Sequence, residues 1–392
     1  MAALKYWLWL TEKKKLTNQV RLALLEHFGS PEDLYFSDSG EYLQVPGMSR
    51  VMAAELEEKD LSATDRILGE CQRLNIRIMT MQDAAYPSRL KNIYDPPCLL
   101  YTKGTMPLLD EEAAVAVVGT RDATPYGISS AEKLGYELAS QGAVIVSGVA
   151  RGADSAAIRG ALRAGGVTVG VLGGGIDVVY PPENEYLYQD IAASGVLMSE
   201  YPPGTEPAGR HFPVRNRILS GLCVATLVVE APERSGALIT AATALEQGRD
   251  VFAVPGPIDA PASAGCNRLI RDGAGLVSES WDLLREYEHH FPGKLRAGKP
   301  HAPANLGYEA RQAAPPARPA RETLHLSEAG LTDDQIRILK TLGDEPMLVD
   351  DLIEWTGLSA RRVLTALTML EIDNYVSQSS GKRFARSVTL AE

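Results

Sequence analysis

The chain has 392 residues, with 39 Lys or Arg against 50 Asp or Glu, a net charge of -11, 45% hydrophobic residues and 6% aromatic. That apolar share buries a real core and excludes a wholly disordered protein, and at about 100–200 residues per domain the length points to several domains. No run of about 18 apolar residues occurs, so no membrane-spanning helix is expected.

The opening MAALKYWLWL is apolar, but Lys13, Lys14 and Lys15 follow it rather than precede it, and no small-residue cleavage site comes after. It does not read as a signal peptide, and a cytoplasmic location is expected. Cys71, Cys98, Cys223 and Cys266 form no CxxC, and the six histidines show no zinc-like spacing, so neither a disulfide framework nor a metal site is expected.

Residues 1–82 read as a small domain of short amphipathic helices. Leu16, Val20, Leu24 and Phe28 recur every fourth residue, a core-facing stripe closed by Gly29-Ser30-Pro31. Pro46-Gly47 before Ser49, a candidate N-cap, has the form of a helix-hairpin-helix turn. An ordinary tight turn in a small helical domain is the preferred reading, since residues 1–82 carry ten basic against twelve acidic residues.

Residues 83–291 read as a second domain. The stretch 83–112 leads in and offers an edge strand. Strands are then expected at 114–118, 143–147, 167–172, 195–199, 224–229 and 251–254, with helices near 126–141, 153–164, 185–193, 214–222 and 237–247. Strands apolar throughout, separated by helices, mean a parallel sheet covered on both faces: an α/β, Rossmann-like doubly wound fold. Residues 292–326, rich in Pro and Ala with six basic and two acidic residues, read as a linker. Residues 327–392 return to helical periodicity at 332–342, 349–356 and 359–373, followed by a hairpin at 376–377 and 382–386, a winged-helix pattern. Seven basic against eleven acidic residues make this wing a poor general DNA binder, despite Arg361, Arg362, Lys382, Arg383 and Arg386, and a protein-contact role is preferred.

In an open parallel sheet, ligands bind beyond the carboxyl ends of the strands. Those ends carry Gly119-Thr120-Arg121, then Ser147-Gly148 with Arg151-Gly152 and Asp154, then Gly173-Gly174, and later Ser235-Gly236 opening a helix. Glycines let a ligand approach the backbone, helix N-termini offer free N–H groups, and Arg121, Arg151, Arg215 and Arg217 can fork onto phosphate oxygens. Eleven of the twelve basic residues in 115–280 are Arg, which suits a single-stranded nucleic-acid groove. Neither G-x-x-x-x-G-K-[ST] nor G-x-G-x-x-G occurs, so no nucleotide cofactor is expected. His211 is the sole histidine between 113 and 287, so no Ser–His–Asp set is suggested, and Glu200 and Glu230 read as holders of Arg or loop amides.

The ordered runs VAVVGTRDATPYG, VSGVARGADSAAIRGAL, VLGGGIDVVYPPEN, SEYPPG, FPVRNRILSGL, VVEAPERSGALITA, VFAVPG and GCNRLIRDGA closely resemble the DNA-processing protein A family (DprA, also called Smf), across roughly 83–285. The resemblance implies a non-enzymatic bacterial protein that binds single-stranded DNA, dimerises through its core and helps load the RecA recombinase during natural transformation. It implies a DNA pocket at Gly119, Thr120 and Arg121; at Ser147, Gly148, Arg151, Gly152 and Asp154; at Arg215, Asn216 and Arg217; and at Ser235, Gly236 and Thr240. Members usually carry His where this chain has Ile158, which implies one polar group fewer beside the pocket. The alternative is a nucleotide sensor or phosphoribohydrolase-type enzyme, but Pro232 to Thr240 departs from the PGGxGT loop of that group.

Overall fold

A computed structural model describes residues 3–298, 323–325, 331–343, 347–373, 375–379 and 383–391. The chain divides into two compact units, residues 1–311 and 312–392.

The first unit opens with six helices: α1 (Leu4–Glu12), α2 (Asn18–Phe28), α3 (Pro31–Phe36), α4 (Ser39–Tyr42), α5 (Arg50–Glu57) and α6 (Ser62–Arg73). Their ends follow the local chemistry. Thr17, Ser30 and Ser49 each accept a hydrogen bond from a first-turn amide, and Pro31 stands where a missing N–H costs nothing. Gly29 closes α2 with a φ of 76°.

The sheet region then alternates β1 (Arg77–Thr80), α7 (Ser88–Lys91), β2 (Leu99–Gly104), β3 (Ala114–Val118), α8 (Pro125–Ser140), β4 (Val144–Ser147), α9 (Ala153–Arg163), β5 (Thr168–Leu172), α10 (Glu185–Ser194), β6 (Val196–Ser199), α11 (His211–Gly221), β7 (Ala225–Val228), α12 (Gly236–Glu246), β8 (Asp250–Ala253), α13 (Ala264–Arg271), β9 (Gly275–Leu276) and α14 (Trp281–Leu284). The nine strands lie in the order β1-β2-β6-β5-β4-β3-β7-β8-β9. From β6 to β9 all neighbours are parallel, as the apolar runs require, while β1 and β2 add an antiparallel margin. Every residue of β3, β4, β5, β6 and β7 is buried, because helices cover both faces.

In the stretch read as helical, one element departs from expectation. Residues 77–80 form β1 and pair Arg77 with Thr102 through to Thr80 with Leu99. Four residues are too few for alternation to declare itself, so pairing with β2 decides the strand. The apolar cluster beneath it joins Trp7, Trp9, Leu24 and Leu56 of the helices to Leu99, Tyr101, Ile158 and Ile191 of the sheet region.

Strand order reverses around β3, which has β4 on one side and β7 on the other. This is the point at which an α/β sheet opens a crevice at its carboxyl edge.

The second unit contains β10 (Thr323–His325), α15 (Asp333–Thr341), β11 (Met347–Leu348), α16 (Val349–Thr356), α17 (Ala360–Ile372), β12 (Val376–Ser379), β13 (Arg383–Arg386) and β14 (Thr389–Ala391). Thr332 and Gln335 form a reciprocal capping box on α15, and Gly357 takes a left-handed turn between α16 and α17. The β12–β13 hairpin is the wing. Most of the stretch read as linker, residues 299–322 and 326, lies outside the described residues, as does Lys382; Thr323–His325 is a strand paired with β14.

Candidate nucleic-acid interface

A cleft of about 400 Å³ opens at the carboxyl edge where the strand order reverses. Three loops and the start of α11 build it, and each is tied down by the protein's own hydrogen bonds.

After β3 the chain turns through Gly119-Thr120-Arg121. Gly119 lies so close to Ala153 that an added Cβ would stand 2.5 Å from the alanine methyl. The Thr120 amide donates to the Glu230 carbonyl at 2.8 Å, and its hydroxyl accepts from the Asp122 amide at 3.3 Å. The loop is thereby fixed and sends Arg121 outward, where its guanidinium lies 4.5 Å from the centroid of the Phe212 ring. Glu230, buried behind this turn, accepts from the Thr124 amide at 2.8 Å and the Thr124 hydroxyl at 2.6 Å. It holds loop groups, as read from the sequence.

The loop after β4 supplies the interior. Asp154 is buried, and burial pushes its carboxyl pKa up against the pull of Arg215 and of the amides of Ala150, Gly119 and Gly148. Arg215, also buried, donates through Nη1 to the Val171 carbonyl, while its Nε has no protein partner. Its guanidinium rests on Gly148, where a Cβ would approach Cζ to 2.7 Å. Gly152, at a φ of 80°, starts α9 against the Arg121 carbonyl.

The third wall is the start of α12. Ser235 caps it by accepting from the Ala237 amide at 3.3 Å, and the first turn carries no acidic side chain. The positive end of the helix dipole therefore meets no local negative charge, which favours an anion there. Thr240 is buried and donates to the Gly236 carbonyl at 3.4 Å.

Of the residues expected at the site, Gly119, Thr120, Arg121, Asp154, Arg215, Asn216, Ser235, Gly236 and Thr240 line this one cleft. Ser147 lies behind it, donating to the Val117 carbonyl at 2.7 Å. Gly148, Gly173 and Gly174 line a small adjoining cavity beneath Phe212. Arg151 is exposed and paired with Glu183 at 2.6 Å. Arg217 points to the other side of α11 and is held by Asp95 at 2.9 Å and Glu200 at 2.8 Å. Ile158 is fully buried in the apolar cluster under α9, so this position faces the core and not the pocket. Periodicity within a helix shows which positions share a face, but not which face meets a loop.

The sequence reading missed Phe212 and Arg234, which also line the cleft. Phe212 stands in the FPVRNR run, where the arginines carry the more obvious phosphate chemistry. An aromatic beside Arg at a sheet edge was the available signal. Among the described residues no group of His, Cys, Asp and Glu is placed to hold a metal, and all four cysteines are free and buried.

Comparison with known proteins matches this architecture. Residues 77–288 match the family described as DNA recombination-mediator protein A, and residues 312–382 match the DprA winged helix domain. Protein Smf of Synechocystis sp. is 34% identical over 400 aligned residues, covering 97% of this chain and 98% of the relative. DNA processing protein DprA of Streptococcus pneumoniae is 40% identical over 291 residues, 74% of this chain and 100% of the relative. The X-ray structure of that S. pneumoniae protein superposes with a TM-score of 0.64, covering 72% of this chain and 97% of the other. DprA of Helicobacter pylori, described for its single-stranded DNA binding mode, aligns with a TM-score of 0.50 at 31% identity, over 55% of this chain and 97% of the other. With its sheet unit and its winged helix both matched, and a relative aligned nearly end to end, the chain belongs to the DNA recombination-mediator protein A (DprA/Smf) family.

Proposed function

We propose that this chain binds single-stranded DNA in the sheet-edge cleft, protects incoming DNA, and helps load the RecA recombinase during natural transformation and homologous recombination. The observation that carries the reading is the exposed Arg121 guanidinium over the Phe212 ring, at the mouth of a cleft floored by buried Arg215. Arginine with an aromatic platform holds phosphate and base together without reading sequence. The family membership and the single-stranded DNA binding described for the H. pylori protein support it. In this reading the protein works in the cytoplasm, without enzymatic activity, as a homodimer joined through the sheet domain (83–291). The N-terminal helices (1–82) and winged helix (327–392) are accessory domains, the latter for protein contact, joined by the 292–326 linker.

The test is fluorescence anisotropy with labelled oligo-dT and a duplex of equal length across a salt series. Single-strand binding that weakens steeply with salt, with weaker duplex binding, is the expected result. No binding at any salt, or release of a free base from a nucleotide monophosphate, would overturn it. Recombinase loading is then read from the rate of RecA filament formation on coated single strands, and the dimer from sedimentation.

A further inference from the structure

A second cleft, about 600 Å³, lies on the far side of α11, between the α1–α2 corner and the β2–β6 edge. None of the residues that build the first cleft lines it. Its wall is a pair of stacked rings, Tyr201 and His211, with centroids 4.2 Å apart and planes 22° from parallel.

Charge favours an anion there. The acidic Asp95 and Glu200 in the cleft are both bound by Arg217. Arg21 is occupied with the carbonyls of Leu10, Thr11 and Lys13, at 3.3, 3.0 and 2.9 Å. Exposed Arg210 and Lys14 remain, opposed by Glu12.

The two clefts adjoin across a single turn. Phe212 lines the first and His211 the second, and consecutive Cα atoms stand only about 3.8 Å apart. Gly173 backs both rings: its carbonyl meets His211 Nδ1 at 3.0 Å, and a Cβ there would stand 3.1 Å from Phe212. Tyr180 extends the row beyond Phe212, with ring centroids 5.6 Å apart. Rings and arginines thus alternate across the first turn of α11, the arrangement of a single-strand track.

We propose that the second cleft is a further stacking subsite for the same strand: nucleotides leaving the sheet-edge cleft cross the start of α11, lay a base on the Tyr201–His211 pair and set a phosphate between Arg210 and Lys14. The inference rests on the single-stranded DNA reading above. Its test compares a short oligo-dT of about 4 nucleotides, enough for the first cleft, with one of about 12. Tyr201→Ala and Arg210→Glu should each weaken the long oligonucleotide about tenfold and leave the short one unchanged, whereas Arg121→Ala should weaken both. Long-oligonucleotide affinity unchanged in both variants, or an equal loss for both lengths, overturns the subsite while the first cleft stands. Failure of the wild type to bind either length defeats the underlying reading instead. Circular dichroism checks folding; should Tyr201→Ala unfold, Arg210→Glu, at an exposed side chain, decides.

Discussion

Replacing Arg121 by alanine separates binding from folding more cleanly than any other change at the cleft. The side chain is exposed, and its guanidinium lies 4.5 Å from the centroid of the Phe212 ring. An exposed cation–π contact contributes about 0.5–1 kcal/mol. In a unit of this size that corresponds to a melting shift of no more than about 4 °C. On DNA the same guanidinium makes a charge-assisted phosphate contact, whose removal costs about 1–3 kcal/mol, or roughly 5- to 150-fold in Kd. One fewer phosphate neutralised also lowers the slope of log K against log salt by about 0.7 on a single strand. Anisotropy with labelled oligo-dT from low to moderate salt reads both quantities together. Arg121→Lys should keep the slope and recover only part of the affinity, since an ammonium carries the charge but not the planar stack. If the alanine variant kept its wild-type affinity and slope at low salt, the cleft would not be the phosphate site and the reasoning would fail.

The remaining expectations concern ring, core and charge. Phe212→Ala should lose about 1–3 kcal/mol of oligonucleotide affinity with the salt slope unchanged, because it removes stacking and no charge; a fallen slope would contradict that. Arg215→Met removes the donor to the Val171 carbonyl and the positive charge that favours the buried Asp154 carboxylate, and should cost about 1–3 kcal/mol in denaturant unfolding, with part recovered in the Arg215→Met, Asp154→Asn double variant. Because burial raises the Asp154 pKa, its contribution to stability is full below the ordinary value of 3.8 and is lost as pH rises through the higher folded value. Asp154→Asn should therefore flatten the pH–stability profile just above 3.8, and an unaltered profile would count against that burial effect. Ile158→His places an imidazole in an apolar cluster and should lower stability by roughly 1–3 kcal/mol without tightening DNA binding; tighter binding would put the position back at the pocket.

Much of the architecture was legible in the residues. Ala114–Val118 and its parallel partners are apolar throughout because helices cover both faces, so the strands announce themselves without any knowledge of their neighbours. Caps such as Thr17, Ser49 and Thr332, and the turn at Gly357, are local chemistry and fall where the sequence puts them. The glycine and arginine loops after the strands likewise marked the ligand edge, because in this fold the carboxyl ends of the strands must face it.

Pairing and facing were decided only by tertiary structure. Arg77–Thr80 is a strand because β2 lies beside it, and no period within four residues can say so. Arg215 and Arg217 are two residues apart on one helix, about 200° around its axis, which sends one into the cleft against Asp154 and the other to Asp95 and Glu200. About 100° separates the neighbours His211 and Phe212, enough to make them walls of different clefts, and the packing of α9 turns Ile158 to the core. Composition determined that this chain carries an arginine-rich edge suited to phosphate; packing around α11 determined which of those arginines are free to reach it.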